Sequence, residues 1–233
     1  MKRGLILSTM LLTFFLGGDG RSESFPDAKA LMDSARVLQM NREATLRGQI
    51  RAESGRSPFV LEVEPGIIGY HFANPSEALL VDYGSSGAKM LFRSGGKTRA
   101  LSGRELDQPL RDIGMTYRDL GLEFLYWRDA EVVHEERIKG RDAWLVDMRP
   151  KPGDSDYGVV RVWVDKKTGA LIRMQGYDDQ ARLIRKFEVT SVGKIDGVWM
   201  LKQMRIEEFD PESGKITNRS YIEIDTGRSE IGE

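Results

Sequence analysis

Two histidines, a Gly-Lys-Thr tripeptide and an Asp-Ser-Asp tripeptide are the places in this 233-residue chain where chemistry could begin. Gly96-Lys97-Thr98 matches the end of a phosphate loop, but that motif needs a glycine where Leu91 stands and a helix after the threonine. The segment reads instead as a hairpin turn. His71 and His134 lie far apart, and His134 with Glu136 offers two ligands on one strand face where zinc asks for three or four. Asp154-Ser155-Asp156 could hold a hard cation through carboxylate oxygens. It follows Pro150-Lys151-Pro152-Gly153, so a solvated turn is the expected state. The chain has no cysteine, which excludes thiol catalysis, Cys-ligated zinc and iron–sulfur sites. It has no G-x-S-x-G elbow, and two histidines leave a Ser-His-Asp triad few ways to exist. No catalytic residue, metal ligand or cofactor is expected, so function is sought in binding.

Composition points the same way. The chain is 40% hydrophobic and 30% charged, able to bury a substantial core. A formal net charge of -1 supplies no basic face for nucleic acid. Met1-Lys2-Arg3 followed by the apolar run Leu5 to Leu16 and the small residues around Gly18-Asp19-Gly20 reads as a secretory signal cleaved near Gly20. The apolar run falls short of the roughly 20 residues that a spanning helix needs. The expectation is therefore a signal peptide over 1–20, a single domain over 21–233 and a periplasmic location. Without disulfides, that domain must be held by burial and hydrogen bonds.

The elements that would position a binding surface follow from periodicity. A helix is expected from Pro26-Asp27 to about Met40, with Ala28, Leu31, Ala35 and Leu38 on one face. From Glu43 the period becomes two. Ala44-Leu46-Gly48-Ile50 and Phe59-Leu61-Val63 alternate with polar neighbours, and short strands continue to about Arg104 between Gly- and Pro-containing turns. Glu105 to Asp112 is polar and reads as a short helical turn in a loop. Thr116 and Asp119 form a capping box, with Met115 and Leu120 placed as a hydrophobic staple. The helix expected after it, to Trp127, is apolar over most of its circumference and so should be covered on two sides.

Strands resume at Glu131, with strong turns at Lys139-Gly140, Lys167-Thr168-Gly169, Asp178-Asp179, Asp196-Gly197 and Ser213-Gly214. Alternation puts Val160-Val162-Val164, Ile172-Met174, Leu183-Phe187-Val189, Met200-Met204-Ile206 and Ile222-Ile224 on one face of a seven-strand meander. Arg161, Arg173, Lys186, Glu188, Arg205 and Glu207 take the other face. Trp163 and Trp199 fall opposite the valine and methionine face. An antiparallel sheet apolar on one side needs a cover there, and methionines suit irregular, exchangeable apolar partners.

The run TYRDLGLEFLYW, followed by YGVVRVWVDKKTGALIRMQGYD and RKFEVTSVGKIDGVWMLKQMRIE, resembles the LolA-like outer-membrane lipoprotein-sorting family. The resemblance extends over about Asp27 to Asp225. It implies an unclosed antiparallel β-barrel with helices over its mouth, and a hydrophobic interior that receives the acyl chains of lipoproteins crossing the periplasm. The same fold serves as a lipid- or lipoprotein-sensing module of the cell envelope, which is the alternative. The expected class is α+β, mainly β: a half-barrel of about 11 strands with helices covering the opening. The residues expected to meet lipid are Leu31, Leu38, Leu61, Leu120, Phe124, Val162, Met174, Phe187, Met200, Met204 and Ile206. The expected protein is a monomeric, non-enzymatic carrier whose partners are acyl chains and membrane donor and acceptor proteins.

Overall fold

A computed structural model describes residues 25–40, 43–84, 87–111, 113–195 and 198–225, with the side chains of 36–40, 195 and 198 outside that description. The signal-peptide segment and the Asp196-Gly197 turn lie outside the described residues.

The period-two alternation is realised as a single antiparallel sheet. Its first half contains β1 (Ala44–Ala52), β2 (Gly55–Glu64), β3 (Ile67–Phe72), β4 (Glu77–Gly84), β5 (Gly87–Ser94) and β6 (Lys97–Ala100). The second half contains β7 (Asp129–Ile138), β8 (Arg141–Arg149), β9 (Val159–Asp165), β10 (Leu171–Tyr177), β11 (Leu183–Ile195), β12 (Val198–Phe209) and β13 (Ile216–Ile224). The sheet has 13 strands rather than about 11, because every short segment of the first half, including four-residue β6, pairs as a strand of its own. The spatial order runs β6 to β1, then β13 back to β7. The first strand thus meets the last in the middle of the sheet, and β6 and β7 become its two open edges.

That order dictates where the helical interruption goes. The chain leaves one edge at β6 and must reach the other at β7, so residues 101–128 cross the mouth of the curved sheet. The crossing contains a 3-10 turn (Gly103–Asp107), α2 (Tyr117–Leu120) and a second 3-10 turn (Glu123–Tyr126), and the last of these touches β5 on one side and β8 on the other. The continuous helix expected to Trp127 is therefore two short pieces. Gly121 ends α2, and Leu122 takes a left-handed conformation (φ 48°, ψ 39°) that redirects the chain and leaves Phe124 and Leu125 buried. This conformation is costly for a side chain with a Cβ, roughly 1–2 kcal/mol.

The other helix, α1 (Ala28–Met40), packs against β7 and the second 3-10 turn. Asp27 caps it by accepting from the Ala30 amide at 2.7 Å. Its buried face is Ala28, Met32 and Ala35, with Leu31 only half-buried. The seam is centred one residue later than expected, on Met32, at spacings of four and three.

Of the Gly96-Lys97-Thr98 tripeptide, Gly96 lies in the hairpin turn between β5 and β6, and Lys97 and Thr98 are the first residues of β6. Gly95 and Gly96 both have positive φ (56° and 75°), which matches the twist of a tight two-residue hairpin. No helix among the described residues is long and apolar enough to cross a membrane.

Candidate functional site

The concave face of the sheet carries the apolar residues. In the second half one cross-strand row runs Val132, Val146, Val162, Met174, Phe187, Ile206 and Ser220, each directly opposite the next on strands β7 to β13. Its apolar members are all buried. In the first half Leu46, Leu61, Tyr70 and Leu79 form an equivalent row, and Val63, Ile68, Val81 and Met90 another. From above, Leu120, Phe124, Leu125 and Met32 close onto these rows in one cluster. Direct cross-strand neighbours are the unit of sheet stabilisation, so these rows are a structural core as well as a candidate surface.

Of the residues expected to meet lipid, Leu61, Leu120, Phe124, Val162, Met174, Phe187 and Ile206 are therefore brought together. Leu31, Met200 and Met204 are half-buried and packed at the rim of the same cluster. Leu38 lies in α1, with its side chain outside the described residues. Ile172 is a correction. A register shift between Leu171 and Arg173 turns it away from Met174, and it joins Ile138, Ala143, Leu145 and Trp163 in a small cluster of its own. A bulge breaks the two-residue period from which it was assigned to the inner face. Trp163 belongs to this second cluster and donates to Glu136 at 2.9 Å.

A cavity of about 40 Å³ lies where α1 meets the second 3-10 turn, lined by Met32, Leu125, Tyr126, Trp127 and Ala130 with Lys29, Asp33 and Arg128 at its polar side. That is room for a water, not for an acyl chain.

The covers are held by different means. Thr116 accepts from the Asp119 amide at 3.2 Å, and the Asp119 carboxylate accepts from the Thr116 amide at 2.9 Å, which realises the capping box. The same carboxylate accepts from the Tyr157 hydroxyl at 2.7 Å and stands 3.9 Å from Arg185 on β11. Burial is the main reason the Tyr157 hydroxyl is pushed well above its usual pKa, with the Asp119 charge adding to it. It stays a donor. Gly176 on β10 makes room for the ring, since a Cβ there would lie 2.1 Å from Tyr157 Cε1. On the other flank Arg118 donates to Asp107 at 2.7 Å and to Glu123. Burial works against the Arg118 charge, but these two carboxylates outweigh it and raise its pKa. Ser220, at the end of the apolar row, donates to the Ile113 carbonyl and ties the crossing segment to β13.

With this geometry in place, the chain can be compared with known proteins. A family described as "-like: Uncharacterized protein" matches residues 90–230. The chain belongs to that family. No curated protein matches it. Among solved structures, a DUF1329 family protein from Desulfovibrio piger is 22% identical at a TM-score of 0.65, covering 88% of this chain and 94% of its own. A domain from Vibrio parahaemolyticus named for outer membrane lipoprotein sorting is 16% identical at 0.65, covering 85% and 92%. A LolA superfamily protein from Nitrosomonas europaea is 14% identical at 0.61, covering 86% and 92%. The fold is LolA-like.

On this LolA-like frame the other sequence candidates resolve plainly. His134 stands 3.8 Å from Glu136 and both are exposed. His71 pairs with Glu62 at 2.9 Å across β2 and β3. No group of three or more metal-ligating side chains occurs among the described residues. Asp154, Ser155 and Asp156 line an open polar cleft of about 540 Å³ with Arg104, Asp107, Gln108 and Arg118. The Asp119–Tyr157–Arg185 network escaped the sequence reading. Its members are 38 and 28 residues apart, and the one available signal was the reciprocal Thr116–Asp119 pattern, which assigns Asp119 a local role only.

Proposed function

We propose that this protein is a non-enzymatic periplasmic carrier that shields the acyl chains of lipoproteins against the inner face of its sheet. The observation behind this reading is the continuous row from Val132 to Ile206, which is apolar throughout and closed by short helical pieces instead of a second sheet. Met174, Phe187, Met200, Met204 and Ile206 would meet the chains from the sheet, and Leu31, Leu38, Leu120 and Phe124 from the covers. Each buried methylene contributes about 0.8 kcal/mol, so two or three chains bind tightly without any reactive group. The cavity between α1 and the second 3-10 turn is only about 40 Å³, so a chain binding there enters as a cover moves away. The similarity to a domain named for lipoprotein sorting supports the ligand class. In this reading residues 1–20 are a cleaved signal, 21–233 a single domain, and the working form a monomer.

Mass spectrometry of lipids co-purifying with the exported protein, together with uptake of a fluorescent acyl probe, tests the proposal. Bound lipid and probe fluorescence are expected. A protein that is consistently empty and takes up no probe overturns it.

The small cavity beneath α1 favours one second reading, a regulatory envelope module that stays shut until a lipid or lipoprotein displaces a cover. A pull-down that recovers one membrane signalling protein instead of many lipoproteins selects this alternative.

A further inference from the structure

Strands β11 and β12 outgrow their neighbours. β10 pairs with β11 only from Leu183 to Glu188, and β13 pairs with β12 only from Gln203 to Phe209. Beyond those limits, residues 192–195 and 198–202 pair with one another alone. At about 3.3 Å per residue this makes a two-stranded ribbon projecting roughly 15 Å from the sheet. Two register shifts, beside Thr190 and beside Lys202, sit at its root, and such bulges bend a ribbon away from the plane of its sheet.

The ribbon's composition is unlike that of the rest of the surface. Val192 lies opposite Leu201 and Lys194 opposite Trp199, so these four share one face. Trp199 is 65% exposed and Val192 52%, the two most exposed large hydrophobic residues described. The Lys194 ammonium lies 5.1 Å from the indole centroid, and Lys202 at the root is also exposed. Lys194, Asp196 and Lys202 give the sequence 190–203 a net charge of +1 in a chain whose total is -1. The sheet's other exposed surface is built differently. Arg161 with Asp147, Arg173 and Arg205 with Glu188, and Arg219 with Glu207 neutralise one another across strands.

We infer that this ribbon is a docking element for an anionic lipid surface, with Trp199 and Val192 entering the interface and Lys194 and Lys202 facing the headgroups. An indole with an adjacent ammonium on a projecting arm matches the amphipathic layer between headgroups and acyl chains. Lysines near an anionic surface add attraction that salt screens. A flat protein partner would need apolar area beyond this narrow tip, and the inference stands independently of whether the interior carries acyl chains.

Binding of the full chain to vesicles of phosphatidylethanolamine with phosphatidylglycerol, some carrying brominated acyl chains, tests it. The expected result is flotation with the vesicles and partial quenching of tryptophan fluorescence, with the quenched component absent in Trp199→Ala. Trp199→Ala should weaken binding on the order of tenfold, and Lys194→Glu or Lys202→Glu at least about fivefold each, with no loss on neutral vesicles. Residues 1–20 are common to every variant, so the differences report on the ribbon. Unchanged thermal midpoints confirm folding, because the substituted side chains are exposed. Equal quenching and equal binding in wild type and Trp199→Ala overturn the proposal. So does burial of Trp199 through self-association in sedimentation velocity, or protection by a protein partner without any vesicle binding.

Discussion

The two covers of the concave face are attached in opposite ways. The described contacts of α1 with it are mainly apolar, through Ala28, Met32 and Ala35 against β7 and the second 3-10 turn. The crossing segment around α2 is tied by polar bonds among buried side chains, donated by the Tyr157 hydroxyl to Asp119 and by the Ser220 hydroxyl on β13 to the Ile113 carbonyl. Apolar packing is non-directional and yields gradually. A buried hydrogen-bonded carboxylate holds one geometry and fails abruptly when a partner is lost. The contrast predicts that α1 opens before α2, which acts as the more fixed wall.

The strongest test of that contrast is Asp119→Ala. It removes the acceptor of three hydrogen bonds, from the Thr116 amide, the Thr116 hydroxyl and the Tyr157 hydroxyl, and it leaves the largely buried Arg185 with Glu208, at 3.9 Å, as its remaining carboxylate. Stability should fall by about 3–5 kcal/mol in urea unfolding. A loss below about 1 kcal/mol would mean that water already serves these groups and that α2 is no more fixed than α1.

Met32→Ala probes the other cover. The residue is 2% exposed and sits at the centre of the α1 seam, so the ordinary cost is about 2–3 kcal/mol. If α1 is the mobile element, part of that cost appears as local opening. Hydrogen exchange across 28–40 should then accelerate more than across 117–126. Uniform acceleration in both segments would merge the two covers into one cooperative unit.

Tyr157→Phe isolates one of the two bonds that tie the wall down, the other being from the Ser220 hydroxyl to the Ile113 carbonyl. It keeps the ring under α2 and deletes the hydroxyl, leaving one Asp119 oxygen to find another donor, at about 1–2 kcal/mol. Gly176→Ala attacks the same contact sterically, since its Cβ would overlap the ring, and overpacking of this kind costs about 1–3 kcal/mol. Both variants should loosen 117–126 in hydrogen exchange and leave α1 unchanged.

Much of this contrast was visible along the chain, and the part that was not has a physical reason. Alternation located the concave face because a half-buried strand must alternate, and Val160, Val162 and Val164 do so without interruption. The Thr116–Asp119 box was legible because all its atoms lie within four residues. The break at Leu122 was not, since an apolar run gives no warning that tertiary burial of Phe124 and Leu125 will outweigh helix propensity. Ile172 was misplaced because a one-residue bulge inverts every later side chain and leaves no mark in composition. The strand total was too low by two; β6, four residues long and exposed throughout, accounts for one of them, since it lacks the buried alternation that announces a strand. Asp119's long-range partner is a property of topology. Tyr157 reaches it only because the chain crosses from one edge of the sheet to the other.

Alkaline pH gives the gentlest test. The Tyr157 hydroxyl has a folded pKa raised well above 10, through burial first and the Asp119 charge second. A group whose folded pKa is raised contributes fully below its unfolded value, and the contribution declines as pH rises past that value toward the folded one. The unfolded tyrosine begins to release its proton near pH 10 while the folded one keeps it, a loss on the order of 0.4 kcal/mol at pH 10. Tyr83, buried in the same cluster, is raised in the same direction and adds a similar loss. Urea unfolding between pH 8 and 11 should therefore show stability flat to about pH 9 and then declining. In Tyr157→Phe the decline should be shallower by one tyrosine's share. If the two curves remain parallel to pH 11, the Tyr157 hydroxyl is titrating freely, and the wall is not held from the sheet by a protonated bond.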